Sequence, residues 1–147
     1  MARASVSEQP FGRDEIYSSV EQFYAHQMQI LDSGDAAGWA ATFSKDGVFS
    51  SNGMQKSVTG HDELLAAAEK TVAALSGEGV TRRHLVSMLT IDGTDENEVR
   101  ARCYVPVVDT RNGAAALHVS TVMCDRLVFS ADGWLVQERT IHRDDLL

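Results

Sequence analysis

Cysteine is scarce in this chain, and its spacing excludes the common structural roles of thiols. The 147 residues include two cysteines, Cys103 and Cys124, which form no CxxC pair. Together with five scattered histidines they give no zinc-binding spacing. We therefore expect reduced thiols, a cytoplasmic location, no metal ion and no organic cofactor.

Long hydrophobic runs and positive charge are also lacking. No segment approaches the ~18 consecutive apolar residues of a membrane-spanning helix, and the opening residues MARASVSEQPFGRD contain no apolar run typical of a signal peptide. The chain has 13 Lys and Arg against 21 Asp and Glu, a formal net charge of −8 with histidine neutral. Phosphate backbones and anionic membranes repel this charge, so we expect neither partner and favour a small apolar or neutral ligand.

The composition is typical of one globular domain. Apolar residues make up 44% of the chain and charged residues 23%. Residues 1–12 are polar and are predicted to form a flexible N-terminal arm, whereas residues 13–147 are predicted to form a single domain. The sequence contains no internal repeat, GxSxG motif, P-loop or dinucleotide fingerprint, which excludes the common signatures of several enzyme classes.

The first half of the chain carries helical patterns. Apolar residues recur at helical spacing over 14–31, which predicts a first helix. Asp35 is placed to cap a short second helix over 36–43 by accepting hydrogen bonds from its free N–H groups. A short strand at 48–50 and a third helix over 60–75 follow.

The second half of the chain is predicted to form four strands joined by turns. Apolar and polar residues alternate over 83–91, 99–108, 117–129 and 134–142. This order predicts an α+β fold in which three N-terminal helices pack on a curved, mixed but mainly antiparallel sheet. A curved sheet wrapped around helices makes a cone with an open mouth, and small-molecule sites lie in such concave apolar cavities.

Four short segments carry a resemblance to a known family through their order and spacing. They are LDSGD at 31–35 followed by Trp39, Phe43, Asp46 and Phe49; Gly60 at the start of the third helix; RHLVS at 83–87; and DRL at 125–127 leading through Gly133-Trp134 to Glu138-Arg139. Over residues 14–143 the chain resembles the NTF2-like superfamily, and within it the SnoaL-like polyketide cyclase and dehydratase group. The resemblance implies the cone-shaped fold and a homodimer formed through the outer sheet face.

Two positions depart from that group. Met88 stands where many relatives have asparagine, and TVMCD at 121–125 replaces a Gly-x-Tyr-x-Asp pattern. Both departures put soft apolar bulk where relatives have pocket polarity, which suits ligand binding more than precise catalysis.

His84 is the first candidate for catalysis. Alternate residues of a strand share one face, so His84 is expected beside Val86 and Met88, and an imidazole in an apolar pocket can act as general acid or base near pH 7. In the scytalone-dehydratase-like members of the superfamily the matching histidine is catalytic, and an aspartate that matches Asp32 lies beside it. The alternatives are a core or outward-facing histidine near Arg83, and an Asp32 that only caps the turn into the second helix.

Further polar candidates lie on elements that line the cavity in the resembling family. His118 is a candidate for a second imidazole, because the strand position that carries one in the dehydratase-like enzymes holds Val107 here, and Tyr104 is a candidate for holding a substrate carbonyl oxygen. The predicted substrate-binding residues are Tyr24, Trp39, Phe43, Phe49, Val86, Met88, Met123 and Asp125. Core packing is the alternative for each of them. Arg139 is expected to form ion pairs on the sheet face.

These features favour a cofactor-independent acid–base enzyme. It would be a dehydratase, cyclase or isomerase that acts on an aromatic polyketide-type hydroxyketone of secondary metabolism, with His84 moving a proton and Asp32 orienting it. The alternative is a non-catalytic binding or helper protein that protects a pathway intermediate or supports a partner enzyme. The sequence alone does not show whether Asp32 and His84 touch.

Overall fold

The computed structural model describes residues 12–95 and 97–146 of the chain. The predicted arm, residues 1–12, lies outside the described residues except for Gly12. None of the helices in the described ranges is long and apolar enough to cross a membrane.

Two long helices begin and end close to their predicted positions. α1 spans Arg13–Asp32, and at its start the Glu15 side chain accepts a hydrogen bond from the Gly12 N–H at 3.1 Å. α3 spans Gly60–Glu78 and ends three residues after its predicted end at 75. It ends at Gly79, whose left-handed φ of 67° favours glycine because other residues meet steric strain there.

The second helix is shorter than predicted. α2 spans Ala36–Ala40 and begins after Asp35, whose carboxylate accepts a hydrogen bond from the Gly38 N–H at 2.8 Å. The prediction that this helix reaches Phe43 is wrong, because β1, Phe43–Ser51, begins there and pairs with the last strand of the sheet. Strand pairing leaves the Phe43 ring only 1% exposed, and this burial outweighs the local helical pattern.

The strands of the described residues form two sheets. After β1 they are β2 (Val58–Thr59), β3 (Val80–His84), β4 (Ser87–Thr94), β5 (Glu98–Tyr104), β6 (Val107–Arg111), β7 (Ala114–Val119), β8 (Thr121–Ser130) and β9 (Gly133–Arg143). The larger sheet has the order β2-β1-β9-β8-β5-β4, and the smaller has the order β3-β6-β7. Only the β1–β9 pair is parallel among the neighbouring strands described. The predicted α+β fold with a mixed, mainly antiparallel sheet is confirmed.

Three strands that the sequence predicts as continuous are each interrupted where they change sheets. The structure divides 83–91 into β3 and β4, 99–108 into β5 and β6, and 117–129 into β7 and β8. Pro106 has no N–H to continue a ladder, and Met88 takes a positive φ of 52°. Hydrogen bonds from the Leu85 N–H to the Pro106 carbonyl (3.0 Å) and from the Val105 N–H to the Thr121 carbonyl (2.9 Å) hold the interrupted strands together. The interruptions bend the β structure so that two sheets enclose one cavity.

The core lies between the helices and the larger sheet. Its most deeply buried apolar side chains include Val20, Tyr24, Leu64, Val99, Leu127 and Val136. The buried stripe of α1 also contains one uncharged polar residue, Gln27, which is fully buried. A buried amide needs hydrogen-bond partners, and those partners belong to the functional site.

Leu127 of β8 tests this placement of the core. Its side chain is completely buried, so we expect Leu127→Ala to lower the free energy of unfolding by about 2–5 kcal/mol through lost contacts and a residual cavity. Leu117→Ala is the control, because Leu117 is 63% exposed and its truncation should change stability by less than about 0.5 kcal/mol. Urea unfolding followed by circular dichroism measures both variants. Equal losses would contradict the assignment of Leu127 to the core.

Candidate functional site

A cavity of about 840 Å³ lies where the helices meet the two sheets. Cavities of this size hold drug-sized ligands. Most of its wall is apolar, with contributions from Met28, Leu31, Trp39, Phe49, Val58, Leu64, Val72, Val107, Met123 and Ile141. Charged and imidazole side chains reach it from four places: the end of α1, α3, the smaller sheet, and β9 of the larger sheet.

Asp32 and His84 form a contact at the wall of this cavity. Asp32 is the last residue of α1, and His84 is the last residue of β3. One carboxylate oxygen of Asp32 lies 2.6 Å from Nδ1 of His84, and the other accepts a hydrogen bond from the His84 backbone N–H at 3.0 Å. An ionised carboxylate only accepts hydrogen bonds, so beside it Nδ1 carries a proton, and in the neutral form of the ring Nε2 is then the acceptor.

A second polar cluster lies on the smaller sheet. Arg82, two residues before His84 on β3, donates two hydrogen bonds to the Asp109 carboxylate, at 2.7 and 2.9 Å. Nδ1 of His118 lies 3.5 Å from the same carboxylate. Hydrogen bonds from Arg82, and then its charge, lower the pKa of Asp109 below its ordinary value despite some desolvation. His118, Arg82 and His84 all line the cavity, so the structure brings two imidazoles to one site.

Arg139 of β9 is the functional candidate that the sequence patterns missed. It was expected to form ion pairs on the sheet face, and it does pair with Asp125, but it is only 2% exposed and lines the cavity. Nε donates to Asp125 at 2.9 Å, and Nη2 donates to Asp125 at 2.8 Å and to Gln27 at 2.7 Å. The Tyr24 hydroxyl also donates to Asp125, at 2.7 Å. The available sequence signal is Gln27 itself, a polar residue within the apolar stripe of α1.

Arg139 keeps its positive charge in this buried network. Burial by itself would lower the pKa of the Arg139 guanidinium, but the charge of Asp125 and the hydrogen bonds to it raise that pKa above its usual value. Burial, and then the negative charge of Asp125, raises the pKa of the Tyr24 hydroxyl well above its ordinary value. At physiological pH Arg139 is therefore a cation and Tyr24 a neutral donor.

Residues 13–140 match the family model of the SnoaL-like domain. The chain belongs to this family. The predicted place of the chain in the SnoaL-like group of the NTF2-like superfamily is thus confirmed. No match was found among curated proteins.

Solved structures show the same SnoaL-like architecture. Aln2 from a Streptomyces species is 31% identical over 92% of this chain and 95% of that one, with a TM-score of 0.83. A protein from Catenulispora acidiphila in complex with S-DNPA is 31% identical over 90% and 96%, with a TM-score of 0.79. ActVI-ORFA from Streptomyces coelicolor is 29% identical over 90% and 99%, with a TM-score of 0.82.

The SnoaL-like domain places some predicted binding residues at the cavity and others behind it. Trp39, Phe49 and Met123 line the cavity. Phe43, Tyr24 and Asp125 are buried but do not line it, and Tyr24 instead lines a smaller cavity beside Asp32 and His84. Tyr24 and Asp125 hold Arg139, which lines the larger cavity.

Three other predicted residues of the SnoaL-like domain lie away from the larger cavity. Val86 and Met88 do not line the larger cavity, because the chain bends after β3, and Met88 is 75% exposed. They share the wall of the smaller cavity (about 340 Å³) with His84, Asp32 and Tyr24, so the predicted grouping of these two residues with His84 is found there. Tyr104 is 47% exposed and lines neither cavity, because its neighbour Cys103 takes the inward position on β5.

The structure also shows where the two thiols of the SnoaL-like domain lie and whether its acidic groups cluster as metal ligands would. Burial raises the pKa of the Cys103 thiol to about 12, so it stays protonated, whereas Cys124 is exposed on the outer face. No group of three or more His, Cys, Asp or Glu side chains among the described residues could hold a metal ion.

The Arg82–Asp109 pair makes a pH-dependent contribution to stability. We expect Asp109→Asn to lower the free energy of unfolding at pH 7 by roughly 1.5–3 kcal/mol, the range for hydrogen bonds to charged groups. Because folding lowers the pKa of Asp109, this difference from the wild type is present above the unfolded value near ~3.9 and disappears as pH falls through the lower folded value.

Urea unfolding of the two proteins at a series of pH values measures this difference. Asp132→Asn is the control, because Asp132 is exposed in the turn before β9, and its replacement should cost less than about 0.5 kcal/mol at pH 7. A difference that grows on acidification would contradict the assigned role of Asp109.

Proposed function

We propose that this protein is a cofactor-independent acid–base enzyme, a dehydratase, cyclase or isomerase, whose substrate is an aromatic polyketide-type hydroxyketone. The observation that carries the proposal is the Asp32–His84 contact at the wall of a large apolar cavity. The mainly apolar wall suits an aromatic ring system and excludes water from the reacting atoms.

His84 is the proposed proton carrier. Asp32 holds the Nδ1 proton, so Nε2 removes a proton from the carbon next to the substrate ketone, and the electron pair of the broken C–H bond forms an enolate. In a dehydration the enolate reforms the ketone as the β C–O bond breaks, and the same proton passes from Nε2 to the departing hydroxyl, which leaves as water. One positioned histidine contributes about 10²–10⁴-fold to such a reaction.

Asp32 is the proposed positioning residue of this pair. A carboxylate at the C-terminal end of a helix is disfavoured by the helix dipole, so its place there requires compensation. The backbone N–H and the ring of His84 provide that compensation, and in return the carboxylate fixes the orientation of the ring. His118 is proposed as a second polar contact for the substrate.

One of the similar structures supports the binding of a small molecule. The Catenulispora acidiphila relative was solved in complex with S-DNPA. The alternative function is a non-catalytic binding or helper protein of the cytoplasm that protects a pathway intermediate or supports a partner enzyme. The Met123 side chain in the wall favours this alternative, because a flexible thioether adapts to a ligand without orienting it.

Mass spectrometry of aromatic β-hydroxyketones incubated with the protein distinguishes the two functions. We expect wild type to release water or close a ring, and His84→Ala to be slower by about 10²–10⁴-fold. Asp32→Asn should also be slower, with less effect on KM than on kcat, because Asp32 orients the base. His26→Ala is the control, since His26 is exposed on α1 and should leave turnover unchanged. Substrate bound but recovered unaltered would establish the binding function.

We also propose a homodimer formed through the outer face of the larger sheet. Tyr104 is 47% exposed on this face, and the Arg102 guanidinium lies 5.8 Å from its ring centre. Sedimentation equilibrium at micromolar concentration should give a dimer, and Tyr104→Asp should shift it towards monomer. A monomeric wild type would contradict the proposal.

A further inference from the structure

The cavity wall is rich in basic side chains, although the whole protein is acidic. Its cationic side chains are Lys70, Arg82, Arg139 and Arg143, and Asp32 is the one carboxylate among its lining residues in the described ranges. The whole chain, by contrast, has a formal net charge of −8. Arg82, Arg139 and Arg143 are each paired with a carboxylate, so they act on a ligand through N–H donors that remain free and not through a net positive charge.

The arginines of the wall differ in their access to water. Arg82 and Arg143 each donate two hydrogen bonds to one carboxylate, of Asp109 and Asp145 respectively, and keep 18% and 37% of their side chains exposed. Only 2% of the Arg139 side chain is exposed. Arg139 is therefore the arginine whose remaining donors depend most on what occupies the cavity.

A guanidinium has five N–H donors, and three of those on Arg139 are used. Nε and Nη2 donate to Asp125 and Gln27, while the two N–H groups of Nη1 have no partner in the described part of the chain. Nη1 is nevertheless not fully buried, because the fully buried unpartnered side-chain atoms of the described residues are Nε1 of Trp39 and Oγ of Ser44. Since Arg139 lines the cavity, the accessible side of Nη1 is the cavity side.

We propose that Nη1 of Arg139 binds the ketone or phenol oxygen of the ligand. This proposal rests on the function proposed above. It narrows the substrate of the enzyme to aromatic molecules whose ketone or phenol oxygen lies next to Arg139 of β9. Asp125 offsets the full charge of Arg139 at 2.8 Å, so the site suits an oxygen on which charge develops, as in an enolate, better than a permanent carboxylate. Two N–H groups held in advance stabilise such a charge without reorganisation during the reaction.

Asp125, Tyr24 and Gln27 are positioning residues in this site. They bind Nε and Nη2 or the carboxylate that holds them, so the guanidinium plane cannot rotate. Phe43 adds a further constraint, because the Arg139 guanidinium lies 5.5 Å from its ring centre. The base, His84, comes from the smaller sheet, whereas the oxygen-binding group comes from the larger sheet. The substrate must therefore bridge the two sheets to react.

Removal of Arg139 alone would leave Asp125 buried and unpaired, which destabilises folds strongly. The test therefore uses the double variant Arg139→Gln with Asp125→Asn, which is neutral at both positions. Arg143→Gln is the matched control, because Arg143 also lines the cavity but pairs with a half-exposed carboxylate. Circular dichroism and urea unfolding establish that each variant is folded before binding is measured.

Calorimetric titration with naphthalene, 2-naphthol and 2-naphthoate measures the contribution of the ligand oxygen. Wild type should bind 2-naphthol about 10–100-fold more tightly than naphthalene, the range for a hydrogen bond to a charged group. The double variant should lose this preference while its affinity for naphthalene changes less than about threefold, and Arg143→Gln should keep it. The absorbance of bound 2-naphthol should show ionisation at lower pH in wild type than in the double variant.

Three results would overturn the proposal. The first is a preference for 2-naphthol that persists in the folded double variant. The second is a preference that disappears in His84→Ala instead, which would place the oxygen at the histidine. The third is a larger Arg139-dependent gain for 2-naphthoate, which would indicate a carboxylate site. None of these measurements requires turnover, so a failure of the proposed enzymatic function is detected separately by the mass-spectrometric assay.

Discussion

The buried ion pair of Arg139 and Asp125 is the interaction on which the rest of the site depends. It joins β9 to β8, and through Tyr24 and Gln27 it joins both strands to α1. Because an unpaired buried charge costs several kcal/mol, α1 cannot rotate or slide on the sheet without a large loss of stability. Asp32 lies roughly two helical turns beyond Tyr24, so the same constraint determines where its carboxylate lies.

The interruptions in the strands, together with the ion pair, determine where the polar side chains of the site lie. β3 ends at His84, where the Asp32 carboxylate accepts a hydrogen bond from its backbone N–H as well as contacting its ring. The bend that follows carries the chain from the smaller sheet to the larger one and leaves a cavity between them. One fold can host many functions, so the chemistry depends on the few polar side chains that reach this cavity. Here an oriented histidine comes from one sheet and a guanidinium from the other.

Local sequence patterns predicted those elements that depend on interactions between residues a few positions apart. The long helices follow from apolar spacing, and the start of α2 follows from Asp35, because caps and amphipathic stripes act within a few residues. Asp32 and His84 were predicted as a pair from short segments of the family pattern, without evidence from the sequence that they touch. The end of α2 was not predicted, because the burial of Phe43 against a distant strand decides it. The outward positions of Met88 and Tyr104 likewise follow from bends and registers that involve neighbouring strands.

The sequence by itself determined the family, the α+β order of elements and the identity of the main acid–base candidates, because these are properties of residue type and spacing. Only the tertiary structure decided that Asp32 touches His84, that His118 reaches the same cavity, and that Arg139 is buried rather than exposed. The physical reason is distance along the chain. Tyr24 and Asp125 are 101 positions apart, and Asp32 and His84 are 52 positions apart, so no local pattern records that folding brings them within hydrogen-bond distance.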